Sequence, residues 1–281
     1  MKKAFVSCLL TASILILVPA AAKAGSLSFR VFGGGNYLAG GDLNKGLQGW
    51  ADYWKATRDY QGYTKQTGSF NPIHLGPNAG ADIIFHLSPN WGVGIGTEYL
   101  VASNKSNFTF QSATQTLNWE YLGKPSALPV KVGVFYFLPL SNKLTLGFHA
   151  GAGYYWANAR LESRQDVYPS IKYIIDSSAK GIGYHGGISL EMKLCSSVSF
   201  LIEAAGRYAV LSGFTGTVTI NNAGGWKGTL RYWEAKTSYL DNYAYIDLTE
   251  AAPTGTSIKL ARDAKIDFSG VSLRAGIVIR I

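Results

Sequence analysis

Hydrophobic and polar residues alternate with a period of two along most of the chain, in stretches of about ten residues. Between Val198 and Tyr208, for example, Phe200 and Ile202 alternate with Ser199 and Glu203. A half-buried β-strand shows this pattern because successive side chains point to opposite faces. The pattern predicts strands at Leu27–Leu38, Asn78–Leu87, Trp91–Ala102, Leu128–Leu138, Leu144–Tyr154, Ile182–Leu194, Val198–Tyr208 and Val271–Ile281.

Short and long connections alternate strictly between these eight strands. The short ones are Ser88–Asn90, Pro139–Lys143 and Cys195–Ser197, and the long ones are Ala39–Ile73, Ser103–Ala127, Ala157–Gly181 and Val210–Lys265. In an up-and-down sheet, all long connections then leave from one end and both termini from the other. The strands of a soluble barrel or sandwich would also show alternating hydrophobic and polar residues. The difference in connection length between the two ends favours an outer-membrane barrel. A hairpin in the last connection, Thr215–Ile220 with Trp226–Trp233, is too short and Thr-rich to span, so we place it above the membrane.

The first 24 residues have the pattern of an export signal. Lys2 and Lys3 precede an apolar stretch from Ala4 to Val18, and Ala22-Lys23-Ala24 is a small-x-small cleavage site. We therefore expect cleavage after Ala24, which removes residues 1–24 and leaves 281 − 24 = 257 residues, 25–281, as one barrel domain. An uncleaved helical anchor is the alternative.

Composition supports a β-protein whose outside faces something other than water. Charged residues make up 15% of the chain, against about 25% in a typical soluble domain. Removing Lys2, Lys3 and Lys23 lowers the formal net charge from +9 to +6, which suits anionic lipid headgroups. Aromatic residues at strand ends indicate the girdles of a membrane barrel: Tyr37, Phe85, Trp91, Tyr99, Tyr136, Tyr154 and Tyr208.

The predicted inner faces carry four basic and four acidic residues, so their charges balance. Buried charges are costly unless paired, and the interior of an eight-stranded barrel is just wide enough for side chains. We therefore predict a lumen plugged by ion pairs, with Glu98–Lys131 as one pair and Arg274 reaching Glu203. The predicted network comprises Arg30, Asp82, Glu98, Lys131, Glu191, Glu203, Arg207 and Arg274.

No residue set stands out as a catalytic or metal site. His149 and His185 point inward on neighbouring strands, but a third metal ligand is not evident, and hydrogen-bonded lumen residues are the simpler interpretation. Asp42-Leu43-Asn44-Lys45-Gly46 lacks the later ligands of a calcium loop and predicts a polar turn. A lipid-modifying enzyme would need a Ser/His pair with an orienting acid, and none is found. We expect no enzyme activity, no cofactor and no bound metal.

The long connections are rich in aromatic residues, which are favoured where a partner binds. The candidates for binding are Trp50, Trp54, Trp226 and Trp233. The alternative is that these side chains pack on one another and extend the strands beyond the membrane as a rigid crown.

The end of the chain resembles the C-terminal assembly signal of bacterial outer-membrane barrels. Arg274, Gly276, Ile279 and Ile281 occupy its polar, glycine and two hydrophobic positions, although the family usually ends in Phe or Trp. With the export signal and eight strands, the chain resembles the OmpA/OmpX- and OmpW-like barrels of the Gram-negative envelope.

The resemblance implies an all-β fold, a closed antiparallel eight-stranded up-and-down transmembrane β-barrel with four long extracellular loops and three short periplasmic turns. It also implies contacts with outer-membrane lipids, lipopolysaccharide and the barrel-assembly machinery. We expect a monomer that binds no nucleic acid and has a structural or surface-interaction role. The alternative function is an OmpW-like narrow channel for small or hydrophobic solutes.

Overall fold

The computed structural model describes residues 26–166, 170–221 and 223–281. The predicted signal peptide and its cleavage site lie outside these residues. The elements are β1 (Ser26–Gly41), α1 (Asp42–Tyr60), β2 (Lys65–Ser69), β3 (Leu75–His86), β4 (Trp91–Val101), β5 (Asn104–Gln111), β6 (Thr116–Pro139), β7 (Leu144–Gln165), β8 (Ile171–Lys193), β9 (Val198–Tyr208), β10 (Val210–Leu211), β11 (Thr215–Ile220), β12 (Lys227–Ala235), β13 (Tyr243–Thr249), β14 (Ile258–Asp263) and β15 (Ile266–Arg280). No helix among the described residues is long and apolar enough to cross a membrane.

Eight of the strands form a closed antiparallel ring. Following the pairing from β1 through β3, β4, β6, β7, β8, β9 and β15 leads back to β1. These are the eight strands that the alternation predicts. Closure leaves no unpaired edge along the shared height of the ring, a requirement of any sheet surrounded by lipid.

One end of the ring, which we call the turn end, carries the three short connections and the last residues of the chain. Ser88 and Ser141 shape two of these turns, since each Oγ accepts backbone N–H groups two and three residues later. Such side-chain contacts stabilise tight turns. At the same end, Leu27 and Ile281 exchange two backbone hydrogen bonds of 3.1 and 2.9 Å.

The long connections are more ordered than the sequence predicts. Strands β6, β7 and β8 contain 24, 22 and 23 residues, about twice the length needed to span a membrane. Their extensions join α1, β2, β5 and β11–β14 in a second layer on the opposite end, which we call the crown.

The prediction of a polar turn at Asp42–Gly46 is wrong, because these residues begin α1. Gly41, with φ of 61°, turns the chain out of β1, and Leu43, Leu47, Trp50 and Ala51 then form one buried helix face. The spacing of these four residues is the signal that could have predicted the helix.

Helix α1 fills a gap in the crown wall between β2 and β13. Each of these strands is hydrogen-bonded to another strand along only one of its edges. The helix packs against β13, where a Cβ on Gly49 would lie 2.2 Å from Ala244 O. On its other side, Gln66 of β2 donates a hydrogen bond of 3.1 Å to Lys55 O. Glycine is needed at position 49 because the helix backbone touches the strand backbone there.

The main hydrophobic core lies inside the crown rather than inside the ring. It includes Leu47, Phe110, Tyr155, Phe214 and Phe268, each at most 1% exposed. The interior of the ring is mostly polar and charged, with one small aromatic cluster of Phe135 and Phe137 beside Ile84.

Candidate functional site

The ring interior holds a cluster of charged side chains that the strand register brings to similar heights. Arg274 of β15 lies directly opposite Glu203 of β9. Lys131 of β6 lies opposite Gly96 of β4, and therefore reaches Glu98 two residues further along that strand. Seven of the eight predicted charged residues are buried, with Arg207 half-buried.

Alternating cations and anions form one continuous chain of ion pairs across the bore. Arg280 contacts Glu191, whose other oxygen lies 2.5 Å from Arg30. Arg30 also lies 3.5 Å from Glu203, which accepts a 3.0 Å hydrogen bond from Arg274 Nε. Arg274 Nη1 lies 3.0 Å from Glu98 as an ion pair, and Glu98 accepts a 3.1 Å hydrogen bond from Lys131. Each carboxylate in this series of ion pairs, Glu191, Glu203 and Glu98, thus has two cationic partners.

Aromatic rings cover the cations that carry this network. The Arg30 guanidinium lies 5.2 and 5.6 Å from the ring centres of Phe135 and Phe137. The Arg274 guanidinium lies 4.0 Å from the ring centre of Phe32. These distances allow cation–π attraction, which is stronger where water is excluded.

Two of the predicted network members have no ion-pair partner in the described part of the chain. Arg207 instead donates to Phe268 O, Ser272 Oγ, Asn36 Oδ1 and Tyr37 O at 2.6–3.1 Å. Asp82 is 7% exposed and lies against Gly96, where a Cβ would collide with its carboxylate. Arg280, which was not among the predicted members, faces inward on the last strand and joins the network through Glu191.

The two inward histidines lie near Asp82 around a small cavity. The ring centres of His149 and His185 are 5.8 Å apart, and the cavity measures about 10 Å³, room for about one water molecule. Among the described residues, no group of three His, Cys, Asp or Glu side chains could hold a metal ion.

The outside of the ring presents the opposite chemistry, a belt of exposed apolar side chains. Val31, Ile83, Val132, Ile188 and Leu273 are between 44% and 66% exposed. Aromatic residues lie at both edges of this belt. Trp91, Tyr136 and Phe148 adjoin one another near the turn end, and Tyr37, Tyr99, Tyr154, Trp156, Tyr184 and Tyr208 lie nearer the crown.

The four loop tryptophans proposed for binding lie within the crown packing. Trp50 is 9% exposed, and its ring centre is 4.4 Å from that of Trp119. Trp54 also packs on Trp119, at 4.7 Å. Trp233 stacks on Tyr245, and Trp226 donates a 2.8 Å hydrogen bond to Leu248 O. All four therefore contribute to packing within the crown, and a role for them in binding stays a prediction.

Asp247 of β13 is a half-buried acid in the crown whose hydrogen-bond partners are uncharged. Its carboxylate accepts hydrogen bonds of 2.7 Å from Tyr173 Oη and from the backbone N–H of Leu248. Burial raises the pKa of Asp247, and these two hydrogen bonds offset only part of that rise. Burial beside this acid also raises the pKa of Tyr173.

The residues of the resembled C-terminal signal occupy both faces of β15. Arg274 points into the bore, whereas Ile279 and Ile281 are 45% and 79% exposed. Gly276 lies opposite Phe32, and a Cβ there would lie 2.2 Å from Val31 O.

No protein-family model and no curated protein matches the sequence. Among solved structures, the chain is similar to the outer membrane protein OprG from Pseudomonas aeruginosa, with 11% identity and a TM-score of 0.43 over 92% of this chain and 97% of that one. It is also similar to Ail, the attachment invasion locus protein of Yersinia pestis, with 11% identity and a TM-score of 0.31 over 92% and 99% of the chains. A third is the outer membrane protease OmpT from Escherichia coli, with 8% identity and a TM-score of 0.28 over 92% and 98%. All three are small outer-membrane β-barrel proteins, the class that the sequence resembles.

Proposed function

We propose that this chain is an integral protein of the bacterial outer membrane with a closed bore and a structural or surface-interaction role. The observation that carries the proposal is the ring itself, with an apolar belt outside and a chain of ion pairs inside. A soluble barrel would bury apolar side chains inside and expose polar ones. The inverted arrangement, together with two aromatic girdles, is that of a barrel surrounded by lipid.

The proposed orientation places the three short turns in the periplasm and the crown outside the cell. Two separate layers then close the bore, the ion-pair chain within the membrane and the hydrophobic core with α1 above it. Both layers favour a non-conducting barrel over a narrow solute channel. The rigid crown supplies a stable outward surface, and no catalytic step is part of the proposal.

Gel mobility tests the membrane barrel. The detergent-extracted protein should migrate faster unheated than after boiling, because a closed barrel stays compact in detergent. Equal mobility in both states, or recovery of the protein in the soluble periplasmic fraction, would contradict the assignment.

Single-channel recording in planar bilayers tests the closed bore. We expect refolded protein to give no steady conductance, because both layers exclude hydrated ions. A conductance near that of a general porin would refute the closed bore and leave the membrane assignment intact.

A further inference from the structure

One face of β13 lies in the hydrophobic core of the crown, and the other face reaches solvent. Ile246 and Leu248 are at most 2% exposed and pack in the core. Tyr243, Tyr245 and Asp247 alternate with them and are only half-buried. Successive side chains of a strand point to opposite faces, so these three residues share a surface that a ligand from outside can reach.

Aromatic side chains from neighbouring parts of the crown converge near Asp247 on this face. Tyr173 of β8 donates a hydrogen bond of 2.7 Å to Asp247 Oδ1, and its ring centre lies 6.0 Å from that of Trp226. Trp233 of β12 lies directly opposite Tyr245 and stacks on it, with ring centres 4.8 Å apart. Each of these four aromatic side chains is half-buried and keeps part of its surface open to solvent.

Tyr121 of β6 completes the surroundings of this acid. It is 7% exposed, and burial, with Asp247 and Tyr245 nearby, raises the pKa of its hydroxyl. The carboxylate therefore lies among tyrosine hydroxyls rather than among basic groups. We call these side chains the aromatic acid site, and it comprises Tyr121, Tyr173, Trp226, Trp233, Tyr245 and Asp247.

One oxygen of the Asp247 carboxylate is left without a partner among the described residues. Both of its hydrogen bonds, from Tyr173 Oη and from the backbone N–H of Leu248, end at Oδ1. Arg231 lies directly opposite Asp247 on β12, but its guanidinium contacts Asp263 at 2.6 Å. The charge of Asp247 is therefore not neutralised within the described part of the chain, and Oδ2 is available to a ligand.

The chemistry of the site favours a cation that carries N–H donors. Aromatic ring faces attract cations, more strongly where water is partly excluded. A carboxylate forms charge-assisted hydrogen bonds with ammonium groups. A primary ammonium has three N–H donors and no acceptor, so it can donate to Asp247 Oδ2 and to the oxygens of neighbouring tyrosine hydroxyls. A quaternary ammonium has no N–H group for Oδ2.

We propose that the aromatic acid site binds a small organic amine, with the primary ammonium at Asp247 Oδ2 and the apolar part against the half-buried rings of the site. The inference rests on the proposed function in one respect, the outward position of the crown, which exposes the site to solutes outside the cell. It gives a ligand class to the binding role predicted for Trp226 and Trp233. Because both layers that close the bore remain in place, the amine is held at the crown rather than carried through the ring.

The test measures the affinity of the detergent-extracted protein for 2-phenylethylamine by isothermal titration calorimetry at pH 8, where this amine is protonated. 2-Phenylethanol has the same apolar part without the charge. Asp247→Asn removes the charge of the site and keeps the size of the side chain. Asp241→Asn, at an exposed position, removes one charge outside the site and is the matched control.

We expect Asp247→Asn to bind 2-phenylethylamine roughly 10- to 100-fold more weakly than wild type, the loss expected for a hydrogen bond to a charged group. Asp241→Asn should keep wild-type affinity. Wild type should bind 2-phenylethanol more weakly than the amine by a similar factor, whereas Asp247→Asn should no longer distinguish the two compounds.

Equal affinity of wild type and Asp247→Asn for the amine, or no measurable binding by wild type, would overturn the proposal. Equal affinity of wild type for the amine and the alcohol would overturn it as well, because the carboxylate would then have no role. The N-trimethyl derivative of the amine should bind more weakly, and binding as tight as that of the amine would overturn the assignment of a primary ammonium. Heat-modifiable mobility reports on the ring of each variant separately, so failure of the amine site is distinct from failure of the membrane assignment.

Discussion

The ammonium group of Lys131 lies 3.1 Å from the carboxylate of Glu98 across two neighbouring strands of the ring. Both side chains are 6% exposed. The sequence predicts this pair, and the structure brings the two groups together.

Replacing Lys131 with alanine should destabilise the barrel. Glu98 would keep Arg274 as its remaining partner, so we expect the free energy of unfolding to fall by about 3 kcal/mol, the lower end for a broken buried ion pair. Urea unfolding in lipid vesicles, followed by tryptophan fluorescence, measures this. Lys193→Ala, at an exposed position of the ring with no ion pair among the described residues, is the matched control. A Lys131→Ala barrel as stable as that control would argue against the ion-pair plug.

Replacing Gly49 with alanine should destabilise the crown even though alanine favours helices. The new Cβ would lie 2.2 Å from Ala244 O, and overpacking of this kind costs about 1–3 kcal/mol. Protease resistance of the crown should fall, whereas heat-modifiable mobility of the barrel should not change. Gln48→Ala, on the exposed face of α1, provides the comparison, and a more resistant Gly49→Ala crown would contradict the close packing of α1 on β13.

The crown should respond to pH through Asp247. Burial raises the pKa of Asp247 in the folded state. The uncharged carboxyl group therefore makes its full contribution to the stability of the folded state only below the unfolded pKa of about 3.9. That contribution is lost as the pH rises through the folded pKa and the carboxylate becomes charged. Asp247→Asn keeps an acceptor for Tyr173 and cannot ionise, so it should be more stable than wild type at neutral pH.

The measurement for Asp247 is the unfolding midpoint of both proteins between pH 3 and pH 8. The unfolding midpoint of Asp247→Asn should exceed that of wild type by an amount that grows with pH and vanishes near pH 3. Asp241→Asn, at an exposed position, should show no such trend. A constant offset across the whole range would mean that Asp247 does not titrate differently on folding.

Removing residues 279–281 should reduce insertion into the outer membrane. The truncation deletes both exposed hydrophobic positions of the resembled assembly signal, Ile279 and Ile281. Ile281→Phe, which restores the family's usual ending, should insert at least as well as wild type. Fractionation of the cell envelope measures both, and normal insertion of the truncated chain would show that the signal lies elsewhere.

The period-two pattern determined the eight ring strands and the face to which each side chain points. Alternation is a local property of a strand, so it can be seen without knowing the partners. The alternation also shows which side chains point into the ring. Arg30, Glu191 and Glu203 could therefore be predicted from the sequence as lumen residues.

Only the tertiary structure decided which inner charges meet and what fills the crown. Contacts across the bore depend on strand stagger, which no single strand encodes. Arg207 therefore reaches backbone and amide oxygens rather than a carboxylate, and Arg280 joins the network. Helix α1 contains Gly46 and Gly49, which disfavour a helix in isolation. It is stabilised by the gap between β2 and β13, which exists only once the long strands have folded around it.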